Sequence, residues 1–597
     1  MHYGGIYEDE IVGKAYDRRL MGRFVGYLRP YRWLVAVTLI LLPPMAAARL
    51  AQPYLLKIAI DNHIVKGEME GLPLLAGWFI LLILAESLFT YAQVWLLQYV
   101  GQKVMFDLRL ALFSHVQRMP ASFFDRTPTG SLVTRLTSDV EVLGEMFAAG
   151  IITIVGDIMV LAGIIGIMLW MNLKLSLITF SVLPLLVWVA FTFRRRMREA
   201  FRQVRARLAN LNAFLAESIG GMAVVQLFNR QAREREEFTR LNAAYRDANL
   251  PVISWDAALY ALVETLSSIA VGIIVWYGGG EILQGALTFG ALVAFIQYIE
   301  KFFSPIRDLS AKYSVMQGAM AALERIFNLL DNDHLPSSKE SPLPSGEGGR
   351  RPGEGPIERI QFRDVWFAYS GDDYVLKGFD LTIRRGETVA LVGETGGGKT
   401  TVTRLLSRLY DTQRGSISFD DTDIRDIPLK TLRARIGVVL QDPYLFTGSI
   451  EFNISLGDEN ARRRVEEAAR IVGADRFIRQ LPNSYREEVR ERGVNLSAGE
   501  RQLISFARAV AFDPEILVLD EATASIDTAS ERLIQEGLRG LMAGRTSLVV
   551  AHRLSTIQDA DRIVVIHRGE KMEEGSHQEL LAKRGLYYRL YQLQFRD

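Results

Sequence analysis

The chain has 597 residues, too many for one ordinary domain. Its formal net charge of +1 gives no global field that would draw it to nucleic acid. With no cysteine it can hold no disulfide, thiolate nucleophile or cysteine metal site, and that absence fits either a heat-adapted source or an engineered cysteine-free chain. Hydrophobic residues make up 49%, gathered in the first half, whereas the second half reads as a soluble α/β domain. The charged N-terminus lacks the short apolar region and cleavage site of a signal peptide, so none is expected.

Residues 16–30 are basic, with Leu20, Phe24 and Leu28 at helical spacing, and predict an amphipathic helix on a membrane surface. Six segments follow that could cross a bilayer, near 33–56, 72–99, 149–171, 174–193, 258–284 and 287–306, each about the 20 mostly apolar residues a span needs. Pro43-Pro44 should kink the first. Arg18, Arg19, Arg23, Arg29 and Arg32 precede the first span, and Arg194-Arg195-Arg196 follow the fourth. Alternating spans put both clusters on one side, which the positive-inside rule makes cytoplasmic. The N-terminus and the second half are therefore expected in the cytoplasm, on a multi-pass protein of the cytoplasmic (inner) membrane.

The connections 101–148 and 194–257 are charged and nearly free of proline, and predict two long helical hairpins. Their tips are expected where the helix should break, at Phe123–Gly130 and Ala216–Gly221, and each is a candidate contact with the second half. Glu86, Asp157, Glu264 and Glu300 fall inside predicted spans. Such groups face either a substrate path or a neighbouring helix, and Glu86 is the deepest. Residues 331–358 are broken by Pro and Gly and predict a flexible linker. The domain expectation is thus 1–330 for the membrane part and 359–597 for the second domain.

In the second domain, Gly393-Glu394-Thr395-Gly396-Gly397-Gly398-Lys399-Thr400-Thr401 fits G-x-x-x-x-G-K-[ST]. Glycines let backbone N–H groups wrap a phosphate chain; Lys399 reaches the outer phosphates and the Thr400 hydroxyl can ligate Mg²⁺. The apolar run Thr388–Val392 predicts the strand before the loop, and Val402–Leu406 the helix after it. Ile516–Asp520 reads as a strand ending in an acid, where Asp520 can hold Mg²⁺ and Glu521 can polarise the water that attacks the γ-phosphate. Gln441 ends the run Ile436–Leu440 and is a candidate Mg²⁺ or water ligand. His552 follows the run Thr546–Ala551 and is either structural or in touch with the γ-phosphate. Tyr369 ends the alternating run from Ile360 and is either a core residue or a ring on which an adenine stacks.

Leu496-Ser497-Ala498-Gly499-Glu500 resembles the LSGGQ signature of ATP-binding-cassette (ABC) ATPases. The order of Tyr369, Gly393–Thr401, Gln441, Arg492-Gly493, Leu496–Glu500, Leu519-Asp520-Glu521, Ser525-Ile526-Asp527 and His552 matches that family. Residues 119–139 and 220–230 look like the two cytoplasmic loops of ABC exporters of the type IV fold, so the resemblance covers the whole chain. It implies a six-helix membrane domain with long cytoplasmic extensions fused to a P-loop α/β ATPase, with ATP and Mg²⁺ as cofactors and Glu521 and His552 as catalytic residues. It also implies a second half-transporter chain as partner, with each ATP held between one chain's phosphate loop and the other's Ser497 and Gly499, and Asp527 in communication across the dimer. The substrate class implied is amphipathic drugs, peptides or lipids, exported by alternating access; the fusion of both halves favours export over import. Ala498 and Glu500 depart from the signature, and a carboxylate at 500 should weaken the hold on the partner's nucleotide. A heterodimer with one degenerate site is therefore expected, with a homodimeric lipid flippase or an ATP-gated channel as alternatives.

Overall fold

The computed structural model describes residues 17–149, 151–332, 355–520, 528–551 and 554–595. Contacts divide the chain into two units, one drawn from 1–117 and 129–333, the other from 118–128 and 334–597.

The first unit is helical. Helix α1 (Arg18–Leu28) starts at Asp17, whose carboxylate accepts the Arg19 N–H at 2.7 Å, a side-chain N-cap for otherwise orphaned donors. Its Met21 and Phe24 are buried. Arg23 donates both guanidinium nitrogens to Asp331, at 2.6 and 2.7 Å, and lies over the Phe327 ring. Helices α2 (Arg32–Ala59) and α3 (Leu72–Val116) follow. α2 is assigned as helix through Pro43, Pro44 and Pro53.

Pro53 has no N–H to give the carbonyl of Arg49, four residues back. Lys301 supplies the donor: its Nζ lies 3.0 Å from the Arg49 carbonyl and 3.2 Å from Gln52 Oε1. Gln52 in turn donates to Glu86 at 2.5 Å. Asp157 pairs with Lys312. Both carboxylates are half-buried and have partners on neighbouring helices; Glu300 is exposed.

The first hairpin tip carries α4 (Ala121–Arg126), which groups with the second unit; beyond it come α5 (Thr129–Leu136), α6 (Ser138–Ala149) and α7 (Ile151–Met171). The predicted fourth span is interrupted. Helix α8 (Leu173–Phe180) ends, Ser181-Val182 turn, and α9 (Leu183–Gly220) begins with Pro184 in its first turn. Proline suits that position because the N–H it lacks would be unpaired there anyway.

Each tip breaks partly within its expected range and partly outside it. Phe123–Arg126 are helical, and the chain leaves helix at Gln117–Pro120 and Thr127–Pro128. In the second hairpin α9 runs through Ala216–Gly220 and breaks at Gly221, inside the expected range; a second break lies between α10 (Met222–Leu227) and α11 (Gln231–Leu283), where Asn229 takes φ +52. Asparagine tolerates that left-handed conformation. Helix α12 (Phe289–Leu330) completes the unit.

Among the described residues, five helical stretches are long and apolar enough to cross a membrane: 18–64, 72–116, 129–171, 173–220 and 231–283. The sixth expected span lies on α12, which carries Glu300 and Lys301 within its apolar part and is not among those five.

The second unit is built on two sheets. Strands β1 (Arg359–Ala368), β2 (Tyr374–Arg384), β4 (Arg414–Phe419) and β5 (Thr422–Asp423) form an antiparallel sheet ordered β2-β1-β4-β5. The other sheet holds β3 (Thr388–Val392), β6 (Ile436–Val439), β9 (Ile516–Asp520), β10 (Thr546–Val550), β11 (Arg562–His567) and β12 (Glu570–Gly575), in the order β12-β11-β3-β10-β9-β6. β7 (Gly448–Ser449) and β8 (Glu488–Val489) make a separate two-residue pair.

The five strands from β11 to β6 are parallel, and β12 closes one edge antiparallel. The side chains of β3, β9 and β10 are almost wholly buried on both faces, as covered parallel strands require, while β6 at the edge leaves Val438 exposed. Register sets the site: Val550 pairs with Asp520 on one side and Leu391 on the other, so β3, β9 and β10 end together. Open α/β sheets place their ligands beyond that carboxyl edge. Ile357, within the expected linker, is buried in the core of this unit, and its N–H donates to Glu515.

Candidate nucleotide site

β3 delivers the chain into the glycine loop. Gly393 passes so close to the next strand that a Cβ there would sit 2.1 Å from the Ile566 carbonyl oxygen. Gly398 has φ +102, and its Cβ would meet Leu376 Cδ2 at 2.8 Å and the Val375 carbonyl at 3.0 Å. Glycine is required at both places for steric reasons. Helix α13 (Lys399–Leu406) starts at Gly398 with no side-chain cap, so its first-turn N–H groups are free of competition from a side chain.

Lys399 is buried, and its Nζ donates to the carbonyls of Gly393 and Glu394, both at 2.8 Å. Burial pushes this ammonium below its usual value, and the Asp520 and Glu394 carboxylates oppose the shift. Thr400 Oγ1 lies 3.4 Å from Asp520 Oδ1, which brings the hydroxyl and carboxylate of the expected cation pair together at the strand ends. A close-packed glycine loop, an uncapped helix start, a lysine bonded to the loop's own carbonyls and a hydroxyl–carboxylate pair fit a nucleoside triphosphate with a divalent cation.

Tyr369 follows β1. Its hydroxyl is 3.1 Å from Thr401 Oγ1 on the first turn of α13, and its ring meets Phe367 edge-on at 4.9 Å. It is half-buried and packs against the core cluster of this unit. Gln441 is exposed just beyond β6.

Ser497 caps the signature helix Ala498–Ala511. Its Oγ accepts the Glu500 N–H at 3.2 Å, and the Glu500 carboxylate accepts the Ser497 N–H at 2.7 Å, a reciprocal capping box. Ser497 and Ala498 are exposed and Gly499 is buried. Further along the same helix, Arg508 donates to the Asn453 and Tyr444 carbonyls at 2.8 and 3.0 Å, holding the segment after Gln441 against it; burial pushes this guanidinium below its usual value. Glu521, Asp527 and His552 lie outside the described residues.

Some contacts were not anticipated from sequence. Arg404 sits over the Tyr369 ring at 5.9 Å, one helical turn past the phosphate loop. Tyr410, Asp125 and Arg126 also gather at Tyr369. No motif marks Tyr410; the expectation that the first tip contacts the second half was the nearest signal.

Comparison with known proteins agrees with this architecture. Residues 36–306 match the ABC transporter transmembrane region and 376–524 the ABC transporter ATPase family. The chain is 38% identical over 98% of its length to the ABC transporter ATP-binding protein YknV of Bacillus subtilis, covering 96% of that protein. The chain belongs to the ABC transporters. This ABC exporter half-transporter fuses one multi-pass membrane region to one ATPase domain. It is 38% identical to the "Probable multidrug resistance ABC transporter ATP-binding/permease protein YheH" of Bacillus subtilis, over 88% of this chain and 77% of that one. It is 36% identical to an "ATP-dependent lipid A-core flippase" of Syntrophus aciditrophicus, over 96% and 94%. A bacterial Atm1-family ABC exporter with ATP bound superposes at TM-score 0.77 with 29% identity, covering 95% of this chain and 99% of the other, which gives the type IV fold. ABC half-transporters act as dimers, and the ATPase domain implies ATP binding.

Proposed function

We propose that this half-transporter exports amphipathic drugs, peptides or lipids across the cytoplasmic membrane, as one half of a heterodimer with one active and one degenerate ATP site. ATP, with Mg²⁺ held by Thr400, Asp520 and Gln441, would lie on 393–401 with its base on Tyr369. Glu521 would activate water, with His552 near the γ-phosphate and Asp527 at the dimer seam. Lys399 exchanges the loop carbonyls it now holds for phosphate oxygens.

Glu500 carries the heterodimer reading. Its carboxylate occupies the helix start where Ser497 and Gly499 would meet the partner's nucleotide, so it takes up the favourable end of the helix dipole with its own charge. The second hairpin tip supports a partner chain. Leu227 and Phe228 are 78% and 72% exposed in this chain alone, more apolar surface than a charged hairpin needs for itself. Basic flanks support cytoplasmic placement of the ATPase domain. Relatives named as multidrug and lipid A-core transporters support an amphipathic cargo, and the second of them favours a lipid flippase as the alternative.

The deciding experiment is ATPase stimulation and uptake in inverted vesicles across a panel of peptides, dyes and lipids, with and without a co-expressed second half-transporter. A purified chain that alone forms a stable dimer with full substrate-stimulated ATPase overturns the heterodimer reading. Indifference to every member of the panel overturns export of this class.

A further inference from the structure

β11 ends against the glycine loop, with the Ile566 carbonyl so near Gly393 that a Cβ there would sit 2.1 Å from it. His567 is its last residue. The turn to β12, Arg568-Gly569, has φ +51 and +89, and the Gly569 carbonyl accepts the Lys377 N–H from β2 at 3.0 Å. A tight turn tied to a neighbouring strand fixes where the half-buried imidazole stands. Its Nδ1 lies 3.7 Å from Oε2 of Glu394, the second residue of the loop, which is ion-pair distance when the ring carries a proton. The other charged groups on the elements around it are Glu570, in register with His567 on β12, Arg568 in the turn, Lys377 on β2 and Lys399 at the start of α13.

Glu394 organises the loop through its backbone. Its carbonyl accepts the Gly397 N–H at 3.1 Å and Lys399 Nζ at 2.8 Å. Its side chain, 62% exposed, is the one carboxylate in 393–401, at a position where G-x-x-x-x-G-K-[ST] asks for no particular residue. A negative charge in a loop that receives phosphates works against them unless a cation offsets it. His567 stands where it can supply that cation.

We propose that His567 is a positioning residue for ATP binding: protonated, it draws the Glu394 carboxylate to the end of β11 and offsets its charge; neutral, it releases that carboxylate to oppose the phosphates. ATP and a proton on His567 then favour each other, so the chain binds ATP more tightly toward lower pH and takes up protons as it does so. This rests on the reading that the triphosphate lies on 393–401.

The test is calorimetric titration of the full-length chain with ATP and Mg²⁺ at about pH 6 and about pH 8, an interval over which histidine changes charge. The terminal phosphate of ATP titrates there too, so each variant is read against the unaltered chain. Glu394→Gln is expected to tighten binding at the higher pH about two- to fivefold, the range of an exposed ion pair, and to flatten the pH response. His567→Gln is expected to weaken binding at the lower pH by a similar factor, and His567→Lys to keep it tight at both. Added to Glu394→Gln, His567→Gln should change nothing further, because the carboxylate it acts on is gone. Additive effects of the two substitutions, or a pH response in Glu394→Gln as large as that of the unaltered chain, overturn the proposal. Should His567→Gln fail to fold, the pH response of Glu394→Gln decides alone. An unaltered chain that binds no ATP at either pH sinks the nucleotide reading of the loop and this inference with it. Binding that responds to pH identically in every variant leaves the loop in place and removes the pair.

Discussion

Two helices of the ATPase domain begin in opposite ways. α13 starts at Gly398, in a left-handed conformation, with no side chain over its first turn. The signature helix starts at Ser497, closed by a reciprocal box with Glu500. An uncapped start leaves partial positive charge and unpaired N–H groups for an outside anion. A capped start satisfies those donors internally and, with a glutamate, adds a negative charge. Two helix starts of one chain thus differ in how much attraction for phosphate they keep, and the difference comes from single residues at the N-cap and third positions.

The chemistry expected at the open start gives the largest effect. Glu521→Gln should cut ATP hydrolysis about 100- to 10,000-fold, the usual contribution of a general base, while ATP binding persists. Steady-state turnover and filter binding on the same preparation check this, and undiminished turnover would mean that another group activates the water. Next is Lys399→Ala. Hydrogen bonds from a charged donor contribute about 1.5–3 kcal/mol, so ATP should bind roughly 10- to 100-fold more weakly. Unchanged affinity would detach the loop from the nucleotide.

Gly398→Ala tests whether openness requires glycine. A left-handed alanine costs about 1–2 kcal/mol, to which contact with Leu376 and the Val375 carbonyl adds. Lower ATP affinity with little change in far-ultraviolet dichroism is expected; wild-type affinity would show that the loop relaxes freely. The smallest effect concerns the closed start. Glu500→Gln keeps an oxygen to accept the Ser497 N–H and removes the charge. If the carboxylate opposes the partner's nucleotide, affinity at that site should rise about two- to fivefold, matching the 0.3–1 kcal/mol of a charge near a helix end. An affinity that does not move would take the charge out of the account of site asymmetry.

Much of the nucleotide site was legible because its pieces are local. Loop spacing, the apolar run before it and the acid ending Ile516–Asp520 are each set by neighbours in sequence, and all fall at the expected edge of the sheet. The cap was legible too, since Ser-x-x-Glu at 497–500 is the capping-box pattern as well as a variant of the signature. The hairpin tips were legible in part. Thr127–Pro128 and Gly221 leave helix inside the expected ranges, whereas Phe123–Arg126 and Ala216–Gly220 stay helical and further breaks fall at 117–120 and 228–230. Composition marks the neighbourhood of a turn better than its residues.

By itself the sequence determined an apolar half able to cross a membrane, a phosphate loop and an acid-ended strand, because hydropathy and short motifs act over a few residues. The tertiary structure alone decided which distant groups meet. Lys301 answers the carbonyl that Pro53 leaves free, Glu86 rests on Gln52, and Asp125 reaches Tyr410 across 285 residues of chain. The physical reason is that an unsatisfied polar group demands a partner without specifying which one, and only packing brings a particular donor within 3 Å.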